Sequence, residues 1–130
     1  MAWLVKTEPG EYSFDDLLRD KRTVWDGVRN PQALKNLRTM AAGERVFVYH
    51  TGDERRVVGC AEVVRAAGPS AGREVKVELR ALDRLEKPVP LADLKADGAF
   101  AGSPLLRQGR LSVVPLTTAQ VRALEKRGGI

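Results

Sequence analysis

"RVFVYHTGDERRVVGCAEVVRA", residues 45–66, decides the fold class. RVFVYH (45–50) is β-branched and aromatic, the composition of a strand packed against a core. TGDERR (51–56) is a turn, and VVGCAEVVRA (57–66) reads as the returning strand. Gly59, inside the second run, marks a candidate bulge. A hairpin therefore sits at the centre of the chain, and the flanking segments are read outward from it.

Downstream, GPSAGR (68–73) is a loop, and EVKVELRAL (74–82) alternates cleanly. Val75, Val77, Leu79 and Ala81 share one face, and Lys76, Glu78 and Arg80 the other. Pro88 and Pro90 break the next stretch, LADLKA (91–96) predicts one or two helical turns, and GAFAGSP (98–104) is loop. A last strand is expected around 111–115, followed by a helix over 118–127 capped by Thr117 with Gln120. Upstream, AWLVK (2–6) is a short strand stopped by EPG, with Trp3 assigned to the core. Ser13 with Asp16 forms a capping-box pattern for a helix that turns Leu17 and Leu18 inward. Asn30-Pro31 starts a second helix, since Asn is a favoured N-cap and Pro a favoured first residue. Leu34, Leu37 and Met40 follow at helical spacing, and Gly43 is the expected left-handed C-cap. Several strands with short helices at the edges and no βαβ rhythm predict an α+β fold, a small open barrel or strongly bent sheet.

The chain has 130 residues, enough for one domain over 1–130 but too few for two with adequate cores. Hydrophobic residues make up 43% and charged residues 30%, an ordinary globular balance. The net charge of +5 suits an anionic partner such as nucleic acid, although an Arg-rich solvated surface would give the same sum. A single cysteine, Cys60, excludes an intramolecular disulfide and lies in an apolar run as a buried strand residue. No apolar run approaches the ~20 residues of a membrane span, and charges interrupt the N-terminal segment where a signal peptide needs an apolar core. The expected location is the cytoplasm.

Catalytic and cofactor chemistry finds little support. The chain has one histidine, His50, and no pair of His or Cys residues at metal-ligand spacing. Neither a nucleophile elbow nor a glycine-rich phosphate loop occurs. No cofactor, no metal and no enzymatic activity are expected.

Binding chemistry is richer. Lys6, Thr7 and Glu8 end the first strand, and WDGVRN (25–30) leads into a helix. Tyr49 and His50 end a strand, and RQGR (107–110) leads into the last one. These are element ends, where rigid scaffolds present binding residues. Trp25 is either a core anchor beside a turn or one wall of a pocket for a flat polar ligand. Asn30 offers paired donor and acceptor groups, and arginine forks onto phosphate or a base edge. On residues alone both readings stay open.

Six ordered blocks resemble the EVE domain of the PUA-like superfamily. They are WLVKTEPGEYSFDDL (3–17), WDGVRNPQALKNLRTM (25–40), GERVFVYHTG (43–52), VVGCAEVV (57–64), PVPLADLKA (88–96) and LLRQGRLSVVPLT (105–117). The resemblance implies a bent, mostly antiparallel β-barrel of about five or six strands with helices around it. It implies a non-catalytic nucleic-acid-binding module whose pocket accepts a nucleobase of DNA or RNA, a modified one as in related readers. The base contacts implied are Thr7, Glu8, Trp25, Val28, Asn30, Tyr49, His50 and Ser112. The backbone or phosphate contacts implied are Lys6, Arg29, Arg107 and Arg110. Two rival readings are a pocket for a free nucleoside or other planar small ligand, and an enzyme acting on nucleic acid with Glu8 or His50 as acid or base. The chain departs from the family in a short connection, RAAGPSAGREVKVEL (65–79), in Pro31 where tyrosine is common, and in Gly109 where serine is common. Fewer rings and a missing hydroxyl predict a shallower pocket with broader specificity.

Overall fold

In a computed structural model that describes residues 1–67 and 75–130, the hairpin is the middle of a six-stranded sheet. The strands are β1 (Ala2–Thr7), β2 (Arg22–Trp25), β3 (Arg45–His50), β4 (Arg56–Arg65), β5 (Val77–Pro90) and β6 (Val113–Leu116). Their order is β2-β5-β4-β3-β1-β6. Among the described residues only β1 and β3 pair in parallel, and every other pair is antiparallel. The sheet curls into a half-barrel, the bent sheet that the resemblance implied. Five short helices accompany it among the described residues: α1 (Phe14–Asp20), α2 (Pro31–Thr39), α3 (Leu91–Lys95), α4 (Pro104–Arg107) and α5 (Thr118–Gly128).

The core lies inside the curl. Trp3, Leu4, Val5, Phe47, Val57, Val77 and Leu79 come from the strands, and Phe14, Leu17, Leu37 and Leu124 from the helices. Trp3 is buried as expected, and its indole N–H donates to Glu44 Oε1 at 2.9 Å. Cys60 is buried too. Curvature comes from bulges: the β4–β5 register shifts on both sides of Gly59, and β3–β4 shifts between Val48 and Tyr49. Gly59 is also where α1 presses onto the sheet. A Cβ added there would stand 2.4 Å from the Phe14 ring, so the helix seats only on a residue without a side chain.

The helix starts follow the sequence. Ser13 and Asp16 close a capping box, as do Thr117 and Gln120. Asn30 Oδ1 accepts from the Ala33 N–H at 3.0 Å, with Pro31 as the first helical residue. Asn36, buried on α2, donates from Nδ2 to the Val113 carbonyl at 2.8 Å and so ties α2 to β6.

Four local expectations need correction. Residues 22–25 form strand β2, so Trp25 ends a strand and the loop proper begins at Asp26. Thr23, Val24 and Trp25 are good strand residues, and they pair with the first third of β5. Helix α2 ends at Thr39 with Met40 in an extended C-cap, while Gly43 (φ 89°) serves the following turn. β5 runs through Pro88 to Pro90. It does so because β2 covers only Val77–Arg80, leaving the far half of β5 a free edge where a missing N–H is tolerated. The stretch 98–104 carries a 3₁₀ turn at Gly98–Phe100, and α4 follows from Pro104. The loop expected at 68–73, and residue 74 of the alternating strand, lie outside the described residues.

Candidate functional site

A curled sheet that does not close leaves its two outer strands facing one another, and a cleft lies in that seam. Its volume is about 540 Å³. Thr23, Val24 and Trp25 of β2 form one bank, and Arg110 and Ser112, leading into β6, form the other. The end of β1 with the turn after it makes the floor, and the 26–30 loop closes one end.

Of the twelve residues singled out in the sequence, nine line this cleft: Lys6, Thr7, Glu8, Trp25, Val28, Arg29, Asn30, Arg110 and Ser112. Three do not. Tyr49 is buried in β3 and borders a separate, smaller cavity. His50 turns to the opposite side, where Nε2 accepts from the Phe14 N–H at 2.9 Å and Nδ1 meets Glu54 Oε1 at 3.0 Å. Accepting at Nε2 makes Nδ1 the protonated nitrogen of the neutral ring, so His50 anchors the start of α1. Arg107 ends α4, exposed and away from the cleft.

The aromatic wall is a pair. Trp25 is half-buried, and Tyr12 stands edge-on to it with ring centroids 6.4 Å apart and planes at 80°. The Tyr12 hydroxyl donates to Asp20 Oδ2 at 2.9 Å, which fixes the ring; burial pushes its pKa upward. Tyr12 escaped the sequence reading because it sits between an acid and a helix cap. The signal available was one of only two tyrosines placed just before the capping serine. Glu11, Thr23, Val24, Asp26 and Gly27 are the other lining residues missed.

The polar floor is preset by the backbone. After β1 the chain turns tightly, with the N–H groups of Glu11 and Tyr12 both donating to the Glu8 carbonyl at 2.9 Å. Thr7 Oγ1 donates to the Tyr12 carbonyl at 2.6 Å. Glu8 Oε1 accepts from the Gly10 N–H at 3.3 Å, and Oε2 from the Thr51 hydroxyl at 3.3 Å. The carboxylate packs so closely on Gly52 (φ 71°) that a Cβ there would come within 2.9 Å of it. Lys6 Nζ donates to the Gly109 carbonyl at 3.1 Å and stands 5.7 Å over the Tyr49 ring. Burial holds the Lys6 ammonium below its ordinary pKa.

Charge in the cleft balances. Lys6, Arg29 and Arg110 face Glu8, Glu11 and Asp26 across the lining. Two ring walls with hydrogen-bonding groups and no net charge suit a flat, polar, neutral ligand. No group of three or more metal-ligating side chains occurs among the described residues. Nor is any helix there long and apolar enough to cross a membrane.

The EVE domain family model matches residues 1–127. The chain belongs to the EVE domain family. Human thymocyte nuclear protein 1 is 29% identical to this EVE domain over 153 aligned residues, covering 88% of the chain and 68% of that protein. Among solved structures, Rpa0253 from Rhodopseudomonas palustris superposes with a TM-score of 0.89 at 36% identity, covering 98% of this chain and 92% of that one. Human THYN1 protein, solved in complex with 5-methylcytosine-containing DNA, superposes with a TM-score of 0.87 at 28% identity over 99% of this chain and 98% of that one.

Proposed function

We propose that this EVE domain is a non-catalytic nucleic-acid-binding module that takes a single, modified nucleobase of DNA or RNA into the seam cleft. The observation that carries the reading is the Trp25–Tyr12 pair standing beside a charge-balanced, hydrogen-bonding floor. A base leaving its stack loses a few kcal/mol of stacking and pairing, which a ring wall and edge hydrogen bonds recover. Trp25 stacks on the base, and Val28 packs at its rim. Asn30 has Oδ1 committed to the helix cap, so Nδ2 donates to the ligand. Thr7, Glu8 and Ser112 read the remaining edge. Arg29 and Arg110, both exposed in the cleft lining, take the backbone. The DNA complex of the human relative, with its 5-methylcytosine, supports a base as the ligand.

Catalysis is disfavoured by how the two acid–base candidates are used. Glu8 is engaged by Gly10 and Thr51, and both His50 nitrogens are occupied outside the cleft. The second reading, a free nucleoside as the natural ligand, draws on the same charge balance and differs in its salt dependence. Strand binding weakens as salt rises because phosphate contacts release counterions, whereas nucleoside binding stays level.

The test is a titration of wild type and Trp25→Ala with oligonucleotides carrying modified or unmodified cytosine. Loss of one stacking wall costs about 1–3 kcal/mol per base, or roughly 5- to 150-fold in affinity. Equal binding by a folded Trp25→Ala variant would sink the cleft as the base site.

A further inference from the structure

Lys6 borders two cavities. Across it from the seam cleft lies a second one of about 320 Å³, walled by Tyr49, Leu91, Leu105 and Leu106. Its charged lining is Lys6, Arg55 and Lys95, and the one carboxylate at its edge is Glu8, which meets Thr51 and Gly52 from the seam-cleft side. The contrast with the cleft is sharp, since three cations there face three acids.

These cations are not consumed elsewhere. Among the described residues neither Arg55 nor Lys95 has an ion-pair partner, whereas neighbouring Arg56 is paired with Glu54 at 3.3 Å. Asp53 and Glu54 border an adjoining depression that Arg55 and Lys95 also edge, and Glu54 already serves His50 and Arg56. Arg55 also adopts φ 46°, a left-handed conformation that is unfavourable for a residue with a side chain. The Leu91 N–H holds it there by donating to the Arg55 carbonyl at 2.9 Å. Strain of this kind persists where the surroundings impose it and is common at ligand sites. Lys6, half-buried between the cavities and fixed by the Gly109 carbonyl, is reachable from both sides.

We propose that the second cavity is a phosphate subsite, which takes the phosphodiester flanking the base held in the seam cleft. Arg55 and Lys95 grip the phosphate oxygens through charge-assisted hydrogen bonds, and Lys6 stands between base and phosphate. This inference rests on the base-binding reading of the cleft and adds a direction to it: the strand leaves past Lys6 toward α3. A neutral cleft reads the base, and a cationic one holds the chain.

The experiment follows the Trp25 indole and the Arg55 Nε–H by NMR on the isotope-labelled full chain. It is titrated with a single-stranded 5-methylcytosine oligonucleotide and, separately, with inorganic phosphate. Affinities of wild type and Arg55→Gln/Lys95→Gln are measured across a salt series, with Arg122→Gln/Lys126→Gln on α5 as a control of equal charge loss. Both resonances are expected to shift with the oligonucleotide. Two lost phosphate contacts flatten the slope of log K against log salt by about 1.4 for a single strand, and the control does not. Free nucleoside binding stays unchanged in the double variant. A Trp25 shift with a still Arg55 and an unchanged slope overturns the subsite and leaves the cleft reading standing. An Arg55 shift without Trp25 keeps the phosphate site and overturns the cleft. Stillness of both overturns both. Response of Arg55 to inorganic phosphate but not to the strand overturns the assignment to a phosphodiester.

Discussion

Gly59→Ala tests how the fold seats the wall of the cleft. The added methyl would lie 2.4 Å from the Phe14 ring, against the ~3.5–4.0 Å of an ordinary carbon contact. The ring must therefore retreat by more than about 1 Å. It has little room, because Phe14 is fully buried and its N–H is held by His50 Nε2. Overpacking of this kind costs about 1–3 kcal/mol, and the double pinning of Phe14 favours the upper end. With an unfolding entropy of about 2.1 cal/mol/K per residue over 130 residues, that range corresponds to a fall in Tm of about 4–11 °C. Calorimetric or circular-dichroism melting reads it directly. Phe14→Leu alone also destabilises by leaving space, but in the Gly59→Ala background it relieves the clash, so the two changes are strongly non-additive. A Tm drop below about 2 °C, or additive effects in the double variant, would refute the close-approach argument.

Two further outcomes follow from the hydrogen bonds. His50→Phe keeps the bulk but removes the acceptor for the buried Phe14 N–H, so it should cost about 1–3 kcal/mol in urea unfolding. Affinity per folded molecule should hold, and a selective loss of binding at unchanged stability would return His50 to the ligand site. Burial pushes the Glu44 carboxyl upward, but donation from the Ala41 N–H and the Trp3 indole, with the N-terminal ammonium nearby, outweighs it and leaves the group below its ordinary 4.5. A depressed native pKa adds stability that is complete above the unfolded value and lost as pH falls through the native one. The stability gap between wild type and Glu44→Gln should therefore be constant near neutrality and narrow from about pH 4.5 downward. A gap that stays constant to pH 3 would refute it.

Most of the architecture was legible because its signals are local. The alternation of Val75, Val77 and Leu79, the caps at Ser13, Asn30 and Thr117, and the β-branched runs of the hairpin each report on their own segment. β2 was not legible, because four residues ending in Trp25-Asp26-Gly27 resemble a loop until β5 supplies their partner. The course of β5 through two prolines depends on which edge of the strand is free, a fact of topology. The site divides the same way. That residues at the end of β1 and in the 25–30 segment would share a recess followed from their position at element ends. Tyr12 lines the cleft only because the sheet curls far enough to bring the turn after β1 against β2. Tyr49 and His50, adjacent in sequence, point to opposite sides of a strand, so neighbouring polar residues there could never have shared one pocket.

The last residues of β1 show how one short segment can serve two chemistries. Strand alternation would send Lys6 and Glu8 to one face and Thr7 to the other. The strand stops at Thr7, however, and the Glu8 carbonyl immediately accepts from two turn amides, so all three side chains reach the seam cleft. Lys6 is still within the ladder, opposite Tyr49 in the parallel register, and its stem crosses that ring toward Gly109. That crossing puts one ammonium between a charge-balanced cleft and a cationic one. The chain's net charge of +5 is thus not spread evenly over its recesses: the cleft with the rings carries none of the excess, and its neighbour adds Arg55 and Lys95 to the shared Lys6, with only the Glu8 carboxylate at its edge. A ligand that satisfied both would be neutral and flat at one end and anionic at the other, as a nucleotide within a strand is.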